Sequence, residues 1–275
     1  SYKEIMNSIT TFIFDVDGTL ADTEEAHRTA FNLAFERFRL GWVWGRDEYR
    51  ELLKITGGKE RITHYLRSLT TVGPAEFKRL LDLVPDLHAE KTRFYSKVVG
   101  DGGVPLREGV ARLLDEALND GCRLAIASTT TAMNVDALLQ ANLGSRGLEK
   151  FSVIACGDQV RSKKPAPDIY LLALKHLGLH AEQAVAFEDS YNGLRSAVSA
   201  GLRTIVTPTF WTEGSDFGAA TLVLPTLGSP AHPLIGEPGG RLRNEGWLSF
   251  AEVVQLTARP KLPSAVRALY QGTTS

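Results

Sequence analysis

Cysteine, an excess of either charge and long apolar runs are what this sequence lacks. Its 275 residues include two cysteines, Cys122 and Cys156. Two are too few for a disulfide framework, and the six scattered histidines show no Cys/His spacing of a zinc site. Each cysteine sits beside an apolar run, so two buried free thiols are expected, in keeping with a reducing compartment. Lysine and arginine together number 31, aspartate and glutamate 32, and the formal net charge is -1. That balance excludes a surface built mainly for nucleic acid or for a membrane. No apolar run is long enough to span a bilayer. Residues 1–8 lack the apolar core of a secretory leader, so a processed end or an expression remnant is expected. No internal repeat is present.

What is present is the composition of an ordinary globular protein. The chain is 43% hydrophobic and 23% charged, enough for a full core in one large domain or two modest ones. The run Thr11, Phe12, Ile13, Phe14 favours a strand buried on both faces of a parallel sheet. Asp22 can cap the next helix with Glu25 as its partner, and Ala26, Ala30, Phe31, Ala34, Phe35 and Phe38 recur at helical spacing. A helix over 23–39 is expected. Further helices are expected near 47–55, 59–69, 75–84 and 86–99, separated by Gly57-Gly58, Gly73-Pro74 and Pro85. No strand is expected between 21 and 103, so an inserted all-helical block is predicted there. Asp101, Gly102, Gly103 and Pro105 mark the hinge back.

An α/β rhythm then begins. Helices over 108–119, 132–142, 167–177 and 190–199 alternate with strands over 123–127, 152–156, 184–187 and 203–206, and a short strand over 221–224 follows. This alternation predicts parallel strands joined by crossover helices. The fold class expected is therefore α/β, a Rossmann-like parallel sheet with an all-helical insert. Its core comprises 1–21 and 104–275, and its helical insert 22–103. Residues 225–246 hold four prolines and several glycines, which predicts a long surface loop. A helix near 249–257 and a weaker helical signal over 260–275 complete an atypical extension, expected as a strap over the core or an oligomer contact.

The strand ends carry the chemistry. The first strand ends in Asp15 and Asp17, followed by Gly18, where an open α/β sheet binds its ligand. Two acids this close need a cation between them, and a hard divalent ion with oxygen ligands, Mg²⁺, meets that need. Asp15 can then attack phosphorus while Asp17 moves a proton. A polar turn would use the same residues for backbone reasons. Hydroxyls at Ser128, Thr129, Thr130 and Thr131 suit a phosphate, or merely an N-cap. Lys164, before the Pro165-Ala166-Pro167 turn, can bring one positive charge to a phosphate, whereas Lys163 reads as a solvated loop charge. Glu188 and Asp189 complete an oxygen-rich metal site. Acid pair, hydroxyl, lysine and acid pair, each at a strand end, form one kit for phosphoryl transfer.

With these four motifs over residues 11 to 224, the sequence resembles the haloacid dehalogenase superfamily of phosphotransferases. The resemblance implies that Asp15 is the nucleophile that becomes an aspartyl-phosphate. It implies that Asp17 is the general acid/base and lends its carbonyl to Mg²⁺. Ser128 would bind phosphate, Lys164 would steady nucleophile and phosphate, and Glu188 and Asp189 would position Mg²⁺. The helical insert resembles a type 1 cap of the beta-phosphoglucomutase-like branch. Within it, residues 21–27, 48–53, 56–61, 129–131 and 188–193 resemble CbbY-type phosphatases of carbon fixation. That implies dephosphorylation of xylulose-1,5-bisphosphate, an inhibitor of Rubisco, in a bacterial cytoplasm or a plastid stroma.

On the cap, Lys59 and Arg61 follow the Gly57-Gly58 pair, with Lys54 nearby. If this loop faces the core, its cations hold a second, non-reacting phosphate. Glu24, His27 and Tyr49 would meet sugar hydroxyls, with Gly58 and Thr129 as further substrate contacts. The plain alternatives are solvated cations and a core Tyr49. The expected partner is a small sugar phosphate, with no nucleic acid or membrane and a monomeric state. A hexose-phosphate mutase using the same core, or a non-catalytic protein with this fold, are the rival readings.

Overall fold

The structure is a computed structural model, and it describes residues 8–240, 242–243 and 246–258. Strand β1 (Thr11–Phe14) is buried along its length. Phe12 and Phe14 join one apolar cluster and Ile13 another, as the two-residue period of a strand requires. Around it lie β2 (Arg123–Ala127), β3 (Phe151–Ala155), β4 (Ala184–Glu188), β5 (Arg203–Val206) and the short β6 (Leu222–Val223). All neighbours pair in parallel, in the order β3-β2-β1-β4-β5-β6. The chain winds outward from β1 to β3, then returns to add β4 on the other side of β1. That reversal leaves a crevice beyond the carboxyl ends of β1 and β4, where such sheets bind ligands.

The two faces of the sheet pack differently. On one, the rings of Phe14 and Phe187 stack at 4.5 Å, with Phe12 5.1 Å from Phe187. Helices α5 (Val110–Asn119) and α6 (Ala132–Leu143) cover them. Each such buried ring contributes about 1.5–3 kcal/mol. The other face is rich in alanine: Ala125, Ala127 and Ala186 lie under Ile169, Ala173 and Ala197 of α7 (Asp168–Leu177) and α8 (Tyr191–Ser199). Small side chains let these helices approach the sheet closely. Both cysteines are free and buried, as expected. Among the described residues, no helix is long and apolar enough to cross a membrane.

Between β1 and β2 stand helices α1 (Glu24–Arg37), α2 (Arg46–Leu52), α3 (Gly58–Ser68) and α4 (Pro74–Gly100), an all-helical insert. Two expectations need correction here. Asp22 does not cap α1; the N-cap is Thr23, and its hydroxyl donates to Asp17 Oδ1 at 2.5 Å instead of serving the helix. Pro85 does not end a helix, because α4 runs through it. Leu80, Val84, Leu87, Lys91, Tyr95 and Val99 form one buried seam on both sides of Pro85, which itself lies on the exposed face. Packing along that seam outweighs the hydrogen bond a helical proline forfeits.

The stretch 225–246 is more than a surface loop. Leu224, Leu227, Leu242 and Leu248 are buried in the main cluster, with Val253 of α10 (Phe250–Thr257). A short turn of helix, α9 (Glu237–Gly240), interrupts it. Arg112 of α5 holds this strap through the carbonyls of Gly228 and Leu248, at 2.8 and 2.9 Å. Prolines and glycines concealed spaced leucines that only the folded core brings together. The signal over 260–275 lies outside the described residues. Gly109 has a φ of 82°, and a Cβ there would stand 2.2 Å from the Gly228 carbonyl oxygen. Gly109→Ala should therefore lower unfolding stability in urea by about 1–3 kcal/mol. Unchanged stability would show that the strap does not press on this turn.

Candidate active site

The carboxyl ends of β1 and β4 bring three acids together. Asp15, Glu188 and Asp189 each offer one oxygen within 4.8 Å of the others, and all three are buried. Lys164 Nζ donates to Asp15 Oδ1 at 2.8 Å and to Glu188 Oε1 at 2.5 Å. Thr19 donates to the other oxygen of Asp15, and Tyr170 to Glu188 Oε1. Burial drives Asp15 above the ordinary carboxylate range despite Lys164. Burial and then the charge of Asp15 push Glu188 up to about 7 and Asp189 well above its usual value. Burial opposes the charged lysine, but Asp15 and Glu188 outweigh it and hold Lys164 protonated. Glu188 Oε2 is buried without a hydrogen-bond partner. One lysine leaves this set short of positive charge, and the orphaned oxygen and all-oxygen donor set fit a hard divalent cation such as Mg²⁺.

Asp17 is managed separately. Thr23 and His27 Nε2 both bond its Oδ1, at 2.5 and 2.7 Å. Lys91 Nζ lies 2.7 Å from His27 Nδ1, and Tyr95 stacks on the imidazole at 3.9 Å. A lysine nitrogen donates to Nδ1, so the network assigns the ring proton to Nε2, which donates to Asp17. Burial works against the Asp17 carboxylate, but His27, Thr23 and Lys91 overcome it and hold it at about 2. Burial and Lys91 lower His27 to about 4, and burial lowers Lys91 to about 7. Asp17 is thus an anion, and both described hydrogen bonds to its side chain fall on Oδ1.

A cleft of about 780 Å³ lies between the strand ends and the helical insert and is lined from both sides. Glu24, His27, Lys54, Gly58, Lys59, Arg61 and Thr129 line it, as do Asp15, Asp17, Lys164, Glu188 and Asp189. Tyr49 is not in its wall. It is buried among Phe31, Trp44 and Trp211, and its hydroxyl donates to Glu24 Oε2 at 3.0 Å. Burial and the charge of Asp17 raise Glu24 to about 7. Arg61 has committed its guanidinium to the carbonyls of Leu52 and Ile55, so it braces the loop before α3. Lys54 pairs with Glu51 at the surface, and Lys59 is exposed at the start of α3. Ser128 is buried just behind the Thr129–Thr131 wall, and its oxygen accepts from Thr130 N–H at 3.2 Å. Lys163, read as a free loop charge, instead donates to the Gly157 carbonyl at 2.6 Å and lines the cleft.

Lys91, His88 and Trp211 also reach the site without having been singled out in the sequence. Lys91 had a legible signal, a lysine on the apolar seam between Leu87 and Tyr95. His88 packs against Gly58, where a Cβ would stand 2.4 Å from its Nε2. Trp211 had no local signal. It follows β5 and enters the insert's aromatic cluster from the core side.

The sequence pattern of haloacid dehalogenase-like hydrolases matches residues 12–207. The plasmid-borne protein CbbY of Cupriavidus necator is 51% identical over 224 residues, 81% of this chain and 87% of that protein. A crystal structure of CbbY from Rhodobacter sphaeroides with phosphate superposes with a TM-score of 0.74 at 48% identity, covering 79% of this chain and 94% of that one. An Asp→Asn variant of the same protein, in complex with xylulose-1,5-bisphosphate, gives 0.74 at 47% identity, over 81% and 98%.

The buried relay makes a prediction of its own. Between about pH 4 and 6.5, the unfolded chain binds a proton at His27 that the folded chain does not. Folding should therefore gain stability as pH rises through that window and lose it on acidification, by about 3 kcal/mol at most. NMR titration should place His27 near 4 and, in Lys91→Met, higher. An imidazole that titrates at 6.5 in both proteins would refute the relay.

Proposed function

The chain belongs to the haloacid dehalogenase-like hydrolase family, and we propose that it removes one phosphate from xylulose-1,5-bisphosphate through an aspartyl-phosphate on Asp15. One observation carries the mechanism: a buried Asp15 held by Lys164 beside two further acids, with an anionic Asp17 lining the same cleft. The substrate assignment draws on the CbbY complex with that bisphosphate and on a cleft wide enough for a sugar carrying two phosphates.

The reacting phosphate docks against Lys164, Ser128 and the Thr129–Thr131 wall. Asp15, Glu188, Asp189 and the Asp17 carbonyl would hold Mg²⁺, which would supply the positive charge that favours an ionised Asp15 and offsets the phosphoryl oxygens. Lys164 and Thr19 fix the Asp15 carboxylate so that it meets phosphorus in line. The phosphate, as a neighbouring negative charge, raises the affinity of Asp17 for a proton, which then passes to the leaving sugar oxygen. His27 and Thr23 return Asp17 to its anionic state, in which it takes the proton of the water that hydrolyses the aspartyl-phosphate. The cap excludes bulk water. Asn192 reaches across to Lys54 O and Thr56 Oγ1, and Arg50 to Glu213 O, so cap and core meet around the cleft. Glu24, held by Tyr49, meets sugar hydroxyls, and Lys59 holds the distal phosphate.

Phosphate release should depend on Mg²⁺ and favour xylulose-1,5-bisphosphate over ribulose-1,5-bisphosphate and sugar monophosphates. Asp15→Asn should lower turnover by roughly 10³-fold or more while the circular dichroism spectrum stays unchanged. Equal activity on monophosphates would assign a general sugar-phosphate substrate instead. Interconversion of glucose 1- and 6-phosphates without phosphate release would replace the phosphatase by a mutase.

A further inference from the structure

We propose that Arg107 is a positioning residue for this reaction: its guanidinium clamps the turn after Asp17 to the segment that carries Trp211, at the point where both cap connections meet the core. The inference rests on the phosphatase reading above.

Arg107 lies where the chain returns from α4. Its N–H donates to Leu20 O at 2.8 Å, and Leu106 bridges Ala21 in antiparallel fashion. The outgoing and returning cap connections are therefore joined beside its side chain. Nη1 donates to Gly18 O at 2.5 Å, Thr207 O at 2.6 Å and Thr207 Oγ1 at 3.0 Å. Nη2 donates to Pro208 O at 3.0 Å and Pro225 O at 2.8 Å. One planar group thus ties the catalytic turn, the loop after β5 and the start of the C-terminal strap. A lysine ammonium presents its donors from one point and cannot span these carbonyls.

What it ties is consequential at both ends. Gly18 follows Asp17 with a φ of 83°, and a Cβ there would stand 2.1 Å from Asp189 Oδ2. The turn between two site acids has no slack, so a shift of the Gly18 carbonyl displaces the peptide of Asp17 and crowds Asp189. At the other end, Thr207 and Pro208 lead to Phe210 and Trp211. Trp211 packs 5.6 Å from Tyr49 in the cap, and Arg46 lies over the rings of Phe210 and Trp211 at 4.9 and 5.3 Å. The guanidinium that fixes the catalytic turn also fixes the core's handhold on the cap. Its charge faces Asp189, adding a second cation beside the crowded acids.

The test compares wild type, Arg107→Lys and Arg107→Ala by steady-state phosphate release and by hydrogen exchange. Arg107→Lys should lower kcat at least tenfold with KM changed less than threefold. Its exchange should speed up in 17–21 and 207–211 while the β1, β2 and β4 amides stay protected. Millimolar guanidinium ion should restore at least fivefold activity to Arg107→Ala. A lysine variant with kcat within twofold of wild type, or exchange accelerated uniformly through the sheet, would overturn the inference. Failure of the wild type to release phosphate would refute the phosphatase reading instead, and the exchange pattern would still decide the role of Arg107.

Discussion

Four carboxyl groups in one buried space are the constraint on which this structure turns. Asp15, Glu188 and Asp189 meet beyond β1 and β4, with Asp17 two residues past Asp15, because the sheet reverses its winding between those two strands. Burial alone would neutralise them, so basic groups reach them from several parts of the chain. Lys164 is pulled under the sheet's edge to serve Asp15 and Glu188. Lys91 reaches Asp17 through His27. Asp189 faces Arg107, and Glu188 retains an unpartnered oxygen. The same crowding forces glycine at 18 and at 193, where a Cβ would collide with Asp189 and Glu188.

That division gives the two aspartates different settings. Asp15 sits in a set short of positive charge. Asp17 is already stabilised as an anion by groups drawn from the cap, since His27 lies on α1 and Lys91 on α4. The charge of Asp17 is therefore coupled to where the cap stands, while Asp15 is governed by the core alone. Trp211 and Asn192 make the reverse connection, from core to cap. In between, the cleft has a floor of acids and hydroxyls and a roof of mixed charge, in which Arg50, Lys54, Lys59, Arg61 and Lys91 stand among Glu24, Asp47, Glu51 and Glu60.

The core and its motifs were legible because they are local. Alternating runs such as Phe12, Ile13, Phe14 and Ala184 to Phe187 determine strands, and the residue after each run occupies a strand end whatever the rest of the chain does. Asp15, Ser128 and Glu188 could thus be placed by counting, whereas Lys164 lies on a loop nine residues past the end of β3 and reaches Asp15 only through the fold. The cap was harder. Pro85 reads as a break, yet the seam from Leu80 to Val99 carries one helix through it. Asp22 reads as a cap, yet Thr23 takes that position and spends its hydroxyl on Asp17. Tyr49 reads as a ligand contact, yet it lies outside the cleft wall and its hydroxyl bonds Glu24, while Arg61 lines the cleft and spends Nε and Nη2 on the loop before α3.

The sequence by itself determined the parallel sheet, the helical insert and the four strand-end motifs, since strand periodicity and turn residues act over a few positions. Only the tertiary structure decided which partners those motifs receive. Lys91 meets His27 across 64 residues of sequence, and Arg107 meets Thr207 across 100. Such pairings arise from helix packing and sheet order, and a buried charge finds its partner through the fold, not along the chain.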